Sequence, residues 1–420
     1  MGMTAAPLNR ELIQRRTVLI LAIGQVVGAF GTGAGFSMGS LMAAQLSGNP
    51  AFAGFAATAS MLGAAVVSIP LARAASRWGR RPALTIGMCI AGAGSLIIVL
   101  AAVLLVFPLF LVGMFMLGSG SATNYQTRFA AADLASDRTR ARDLSLVIWA
   151  TTIGVVIGPN LATPGDALGH LLGLPALAGA FLIPTFAYIV GITFFNIGLR
   201  PDPLLVARSL ETAEQRAIPT PKGGFRSALR ILSANPVAAA TVAVLALSNG
   251  VMVGVMGVTP VHLAMMDITL PLIGITVSMH TAGMYALSPI FGWLSDRFGR
   301  VTVIVAGEIV YGIALIINAV AAHNMAAVMV ALTLLGIAWS MTTVAGSALL
   351  TESVDINQRT TVQGFSDSMM SYMGAVGAIL AGLLLGGFGY GLLNVVTMAS
   401  VVLSTGVILL VRRRPKAATL

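Results

Sequence analysis

Charged side chains are what this sequence has least of. Of its 420 residues only 9% are Asp, Glu, Lys or Arg, against about a quarter in soluble globular domains. Water is therefore not the solvent for most of the chain. Cysteine is nearly absent as well. The single thiol, Cys89, permits no internal disulfide and, inside an apolar run, reads as inert packing. His170, His262, His280 and His323 share no ligand spacing and have no cysteine cluster beside them, so no metal centre is expected. The phosphate-binding Gly-Lys-Ser/Thr loop is missing, which argues against an ATP-driven machine. One G-x-S-x-G pattern, Gly35 to Gly39, lies in an apolar helical run rather than the strand-turn-helix that hydrolases need. The chain is thus read as no enzyme and as needing no cofactor. Its net charge of +10 comes without a basic face interleaved with aromatics, so nucleic acid is not expected as a partner.

What the sequence has in quantity is long apolar runs, with 57% hydrophobic residues. A bilayer core of about 30 Å needs about 20 apolar residues per helix. Every backbone polar group inside it must also be satisfied internally, so runs of this length must be helices. Candidate spans fall near residues 18–43, 52–71, 84–107, 109–129, 144–161, 177–199, 237–258, 272–294, 301–320, 326–350, 364–385 and 392–411. That is six, a polar stretch, and six more. The first run is too long for the apolar region of a cleaved signal peptide and is expected to remain as a span.

Positive charge fixes the expected orientation, because Lys and Arg near span ends favour the cytoplasm. With the N-terminus inside, alternate connections hold Arg10, Arg15 and Arg16; Arg73, Arg77, Arg80 and Arg81; Arg128, Arg138, Arg140 and Arg142; then six from Arg200 to Arg230. The second half adds Arg297 and Arg300, Arg359, and the terminal Arg412, Arg413, Arg414 and Lys416. All 24 Lys and Arg residues are thereby used and none falls in an outer connection. A multi-pass protein of the cell membrane with both termini cytoplasmic is expected, and the charge excess reflects orientation in the lipid bilayer.

The chain is expected to divide into an N-terminal six-helix bundle at 1–199, a cytoplasmic linker rich in Pro, Gly and charge at 200–235, and a C-terminal bundle at 236–420. Equal halves suggest an internal repeat. Arg77, Trp78, Gly79 and Arg80 after the second span match Arg297, Phe298, Gly299 and Arg300 after the eighth, in register. Asp133 stands seven positions before Arg140, and Glu352 seven before Arg359. The pattern of Gly292, Asp296, Arg297, Gly299 and Arg300 resembles the signature loop of the major facilitator superfamily, and the 6+6 layout resembles that superfamily over nearly the whole chain. Gly154, Gly158 and Pro159 are similar to part of the antiporter motif of its drug:proton efflux branch. In the first repeat the signature glycine is Ala72 and the acid is Ser76, and Met114 stands where the branch tends to place an arginine.

The resemblance implies an all-α membrane protein with twelve transmembrane helices in two pseudo-symmetric six-helix bundles. These would rock about a site near the bilayer midplane. Asp296 is offered Arg359 or Arg300 as partner, and Asp133 is offered Arg77 or Arg80; such pairs would latch the cytoplasmic side, against the alternative of solvated anchoring charges. Ionisable groups inside the membrane are costly, which makes His280, Glu308 and Asp367 candidates for proton coupling. His280 and Glu308 are weighed against a helix-bridging role, and Asp367, near the start of the eleventh span, against a first-turn acid favoured by the helix dipole. Gln25, Asn124, Tyr125, Trp149, Asn160, Asn249, Trp339 and Tyr372 are candidates as a set for lining an amphiphilic cavity, though each alone is read more readily as packing glue than as a ligand contact. No Lys or Arg lies at mid-membrane, which favours neutral, lipophilic or cationic solutes.

The expected function is secondary active transport by alternating access, with drug-efflux-like, proton-coupled efflux of lipophilic or cationic small molecules as the first reading and uptake or facilitated transport of a neutral metabolite as the alternative. Small-molecule substrate, protons and lipid are the expected partners of a monomer. The topology carries a direct test in a Cys89→Ser background. A thiol at Arg138 should resist a membrane-impermeant maleimide in intact cells, while one at Gly173, between the fifth and sixth spans, should react. Labelling at Arg138 would overturn the orientation.

Overall fold

The structure is a computed structural model that describes residues 10–48, 52–157, 162–175, 178–210 and 224–412. Among the described residues it is almost entirely helical and has no strand. The first half comprises α1 (Arg10–Ser47), α2 (Ala53–Trp78), α3 (Arg80–Leu104), α4 (Phe107–Ala130), α5 (Arg140–Ile157), α6 (Ala162–Leu171), a 3₁₀ turn (Ala178–Phe181) and α7 (Leu182–Gly198). A short α8 (Pro203–Ser209) and α9 (Phe225–Ala234) belong to the connection between the halves. The second half comprises α10 (Pro236–Met265), α11 (Leu270–Tyr285), α12 (Ser288–Phe298), α13 (Arg300–Val320), α14 (Met325–Glu352) and α15 (Ile356–Arg412).

Eight stretches among the described residues are long and apolar enough to cross a membrane unaided. The other four crossings each have a physical reason for falling short. Helix α4 carries a polar end, Asn124 to Arg128, and α5 begins with Arg140, Arg142 and Asp143. The eighth span is divided into α11 and α12, because Pro289 has no N–H to offer the preceding turn. Ser288 Oγ fills the vacancy, lying 2.7 Å from the Tyr285 carbonyl. Helix α15 counts twice, since Gly389 breaks it with φ 80° and ψ 172°. The twelve expected spans are accounted for, although the single eighth span of the sequence reading is two helices.

Each half has its own apolar core. Phe110, Phe181, Tyr188 and Phe195 anchor the first, and Tyr311, Leu332, Leu335 and Tyr390 the second. Without a hydrophobic driving force inside lipid, helices associate through close backbone approach, and α2 meets α4 in that way. A Cβ on Gly63 would sit 1.8 Å from the Phe115 carbonyl oxygen. Cys89, read from sequence as packing, is instead exposed on the outer face of α3. The bundles meet through α2 against α15 and through α5 against α12, with Tyr285 packed on an apolar cluster of Ala132, Ala141, Leu144, Ile148, Val344 and Ala348.

Candidate functional site

Arginine-bearing helix ends from the two halves converge on one seam, and there the scarce acids are spent. Each repeat turns on a glycine with positive φ, 94° at Gly79 and 92° at Gly299, which delivers the next residue, Arg80 or Arg300, inward. Arg80 is fully buried. Its Nε and Nη2 donate to Asp133 at 2.8 and 3.1 Å, a bidentate fork. Its Nη1 donates to Gln126 at 2.8 Å, and Nη2 reaches across the seam to Gln363 at 2.7 Å. Arg300 repeats the theme with Glu352, at 3.1 Å from Nε and 2.8 Å from Nη2, and crosses the seam to the Asp137 carbonyl at 2.8 Å. Of the partners offered by sequence, Asp133 takes Arg80 and Asp296 takes Arg300.

Asp296 does more than neutralise its neighbour. Its two carboxylate oxygens accept the Ala141 and Arg142 N–H groups of the other bundle, at 3.2 and 2.9 Å. These are first-turn amides of α5 without intrahelical partners, so a carboxylate from one bundle caps a helix of the other and meets the positive end of its dipole. Arg140 Nη1 adds an ion pair to Glu352 across the seam at 3.2 Å. Arg359 bonds the Val354 carbonyl at 3.4 Å. It joins Asp137, Arg140, Asp296, Arg300 and Glu352 around a polar pocket of about 390 Å³. Two signature-loop arginines face outward: Arg77 lies over Trp78 and Arg297 over Trp293, as long cations do at a membrane surface.

Deeper in the seam lies a second cross-bundle pair. Arg128 Nη2 donates to Asp367 Oδ1 at 2.8 Å, and Gln126 Nε2 donates to Asp367 Oδ2 at 3.0 Å. Both charged residues are buried, and Arg128 is covered by the faces of Tyr125 and Phe129, 5.1 and 4.9 Å away. Gln126 therefore joins the two ion pairs into one network running Asp133, Arg80, Gln126, Asp367, Arg128. Asp367 is eleven residues from the start of α15, about 16 Å along the helix at 1.5 Å per residue. Arg128, which span lengths place in a connection, is instead buried in the seam, and Gln126 and Gln363 join the site without being among the sequence-based candidates. A signal existed in the polar positions Thr360, Gln363, Asp367 and Ser371, which share one face of α15 at helical spacing.

The other buried ionisable candidates stay within the second half. His280 Nδ1 meets the Leu332 carbonyl at 2.7 Å, between α11 and α14. Glu308 accepts from Ser248 at 2.7 Å and from Ser404 at 2.5 Å, tying α10, α13 and α15. Among the cavity candidates, Gln25 donates to Thr151 at 3.0 Å. Asn249 bonds Trp339 Nε1 at 3.0 Å and the Met370 carbonyl at 2.8 Å. Tyr285 stands edge-on to Trp339, with ring centroids 5.6 Å apart. Tyr125 and Asn124 are half-buried, whereas Trp149 and Tyr372 are exposed. Gly154 packs against Ala29 of α1. Gly158, Pro159 and Asn160 lie outside the described residues.

The departures of the first repeat have a steric counterpart. On α12, Gly292 lets the bundles touch, since a Cβ there would stand 2.2 Å from Ser145 Oγ. At the matching contact between α2 and α15 the larger residue is Ala72, and the glycine has moved to its partner, Gly364, where a Cβ would fall 2.1 Å from that of Ala72. The seam keeps one small residue per contact, whichever bundle supplies it. Ser288 Oγ to the Ser145 carbonyl at 3.1 Å and Ser368 Oγ to the Ala65 carbonyl at 2.7 Å continue the contact inward.

Comparison with known proteins places this architecture. The Major Facilitator Superfamily profile matches residues 21–271 and 262–420. YdeG of Bacillus subtilis (strain 168), described as an uncharacterized MFS-type transporter, is 32% identical over 96% of this chain and 95% of its own length. The riboflavin transporter RfnT of Brucella anthropi is 26% identical over 96% of this chain and 97% of its own. Among solved structures, a bacterial homologue of the iron transporter ferroportin, in an outward-facing state, superposes with a TM-score of 0.74 at 17% identity, covering 96% of this chain and 100% of the other.

Two substitutions separate steric fit from mere resemblance to the signature. Overpacking a tight contact costs about 1–3 kcal/mol, so Gly292→Val should hold the bundles apart and raise amide exchange at Ala141 and Arg142 by about tenfold or more. Ala72→Gly, which restores the usual residue, should leave exchange unchanged because Gly364 already provides the space. Equal exchange in Gly292→Val and the parent protein would contradict this account of the seam.

Proposed function

This chain belongs to the major facilitator superfamily, and we propose that it is a proton-coupled secondary transporter working by alternating access, in which Asp367 carries the coupling proton. It carries small molecules across a membrane and is not an enzyme. The division at 1–199, 200–235 and 236–420 remains our proposed domain scheme. The arginine-bearing face is taken as cytoplasmic in the cell membrane, with both termini on that side, and the transporter as a monomer. On this reading the structure is closed toward the cytoplasm.

One observation carries the assignment of the proton. Of the three membrane-buried ionisable candidates, Asp367 bonds across the two bundles, while the hydrogen bonds of His280 and Glu308 stay within one. Ionised, Asp367 holds Arg128 and draws the halves together; protonated, it loses most of that attraction. A proton arriving from outside would then loosen the seam and leave to the cytoplasm after opening. Renewed pairing with Arg128 would favour closure. The charge state of one carboxylate is thereby linked to which side is open, as coupling requires.

Efflux of lipophilic or cationic compounds is our first reading of the direction, supported by the partial likeness of Gly154, Gly158 and Pro159 to the antiporter motif and by the aromatic pair Tyr285 and Trp339 in the second half. The relative RfnT, named a riboflavin transporter, supports the second, uptake or facilitated transport of a neutral metabolite. Proteoliposomes with an imposed pH gradient, assayed with riboflavin and a panel of lipophilic cations, distinguish them by the direction of gradient-driven flux. Asp367→Asn should abolish the response to the gradient, a loss of about tenfold or more, while retaining exchange between equal pools. Because removing one member of a buried pair costs about 3–5 kcal/mol, Asp367→Asn combined with Arg128→Gln serves as the folded control and should behave alike. Gradient-driven flux undiminished in both variants would refute the role of Asp367.

A further inference from the structure

The first repeat lacks the acid with which the second repeat grips its neighbour, yet its loop is not left alone. Ser76 stands where Asp296 stands in the other copy, and the Ser76 carbonyl accepts from Arg208 Nη1 of the linker helix α8 at 2.7 Å. Asp202, at the start of α8, binds the same loop. Its Oδ2 accepts the Arg81 N–H at the beginning of α3 at 2.8 Å, while its Oδ1 accepts Leu204 and Leu205 N–H at 3.1 and 3.3 Å. One carboxylate therefore caps two helices, α3 and α8, and fastens them together. The fit is tight, because a Cβ on Gly79 would stand 2.5 Å from Asp202 Oδ2.

Fastened in this way, α8 presents Val206 and Ala207 to Leu134 of the first bundle. Ile13 of α1 and Ile356, the first residue of α15 in the second bundle, pack against the same cluster. The start of α15 is the repeat counterpart of the start of α5, the end that Asp296 caps. The linker helix thus occupies the latching position that the first repeat's signature loop leaves unfilled.

We infer that α8 is a working part of the gate on the arginine-bearing face: Asp202 and Arg208 make it travel with the first bundle, and its apolar face seals the seam against the start of α15. The second repeat latches through a carboxylate and a helix end, and the first through a borrowed helix and an apolar contact. Asp202 is a positioning residue in this scheme, since it holds the loop that delivers Arg80. Opening the seam requires Val206 and Ala207 to leave Ile356, whereas their contact with Leu134 persists through the cycle. This is independent of which proton or substrate drives the carrier.

Paired thiols test it without any substrate, in a Cys89→Ser background and in lipid nanodiscs. A short reducible bifunctional thiosulfonate is used to bridge Val206→Cys to Ile356→Cys in one protein, and Leu134→Cys to Ala207→Cys in another. Amide exchange over residues 141–145 then reports opening of the seam on the far side of the interface. The first bridge should slow that exchange by about tenfold or more, reversibly on reduction, and the second should change it by less than about twofold. Failure of either bridge to form, unchanged exchange with the first, or equal slowing with the second would overturn the inference. The last outcome would mean that α8 moves with the second bundle.

Discussion

A charge inside a membrane protein must be paired, and in this molecule two of the pairs, Arg128 with Asp367 and Arg140 with Glu352, join two bodies while others within each body lie against the same seam. Acids are few, 14 in all, and Asp133, Asp296, Glu352 and Asp367 are committed to buried or half-buried arginines at the seam. Burying a lone arginine or carboxylate is far costlier than burying the pair, because desolvation is repaid only by an opposite charge in place. Separating the bundles therefore exposes charges that water must take over. A closed seam and an open one would then be two discrete arrangements of the same groups, the property that the proposed rocking carrier needs.

The two repeats meet this demand with different parts. Arg80 with Asp133 and Arg300 with Glu352 are the same solution applied twice. Around them the repeats diverge: a glycine passes from α12 in one copy to α15 in the other, and the helix-capping acid of one copy is answered by a linker helix in the other. The contact that must be small stays small, and the loop that must be held stays held. The fold constrains the role at each position more tightly than the residue that fills it.

Much of this architecture was legible in the residues. Apolar run length disclosed the spans, because lipid leaves the backbone no alternative to the helix, and the register of Arg77 to Arg80 with Arg297 to Arg300 disclosed the repeat. Cross-bundle detail was not legible. Arg128 and Asp367 are 239 positions apart, and nothing local to either indicates the other. Arg128 sits near a span end, where arginines usually meet water, so its burial could be learned only from the helix packed on it. The break before α12 falls at Pro289, where the missing N–H already marks in the sequence a place where a helix can bend, while the Ser288 bond to the freed carbonyl is visible only in the structure. Cys89 was misjudged because an apolar run does not tell which face of its helix meets lipid.

The central claim is that paired charges, rather than apolar contact alone, hold the arginine-bearing ends of the two bundles together. Spin labels at Arg138 and Asp355, both exposed and on opposite sides of the seam, measure that directly in a Cys89→Ser background. The distance distribution should be dominated by one short separation in the parent protein and should shift to a longer one when Asp296→Asn and Glu352→Gln are combined. A distribution that ignores the loss of both carboxylates would contradict the account.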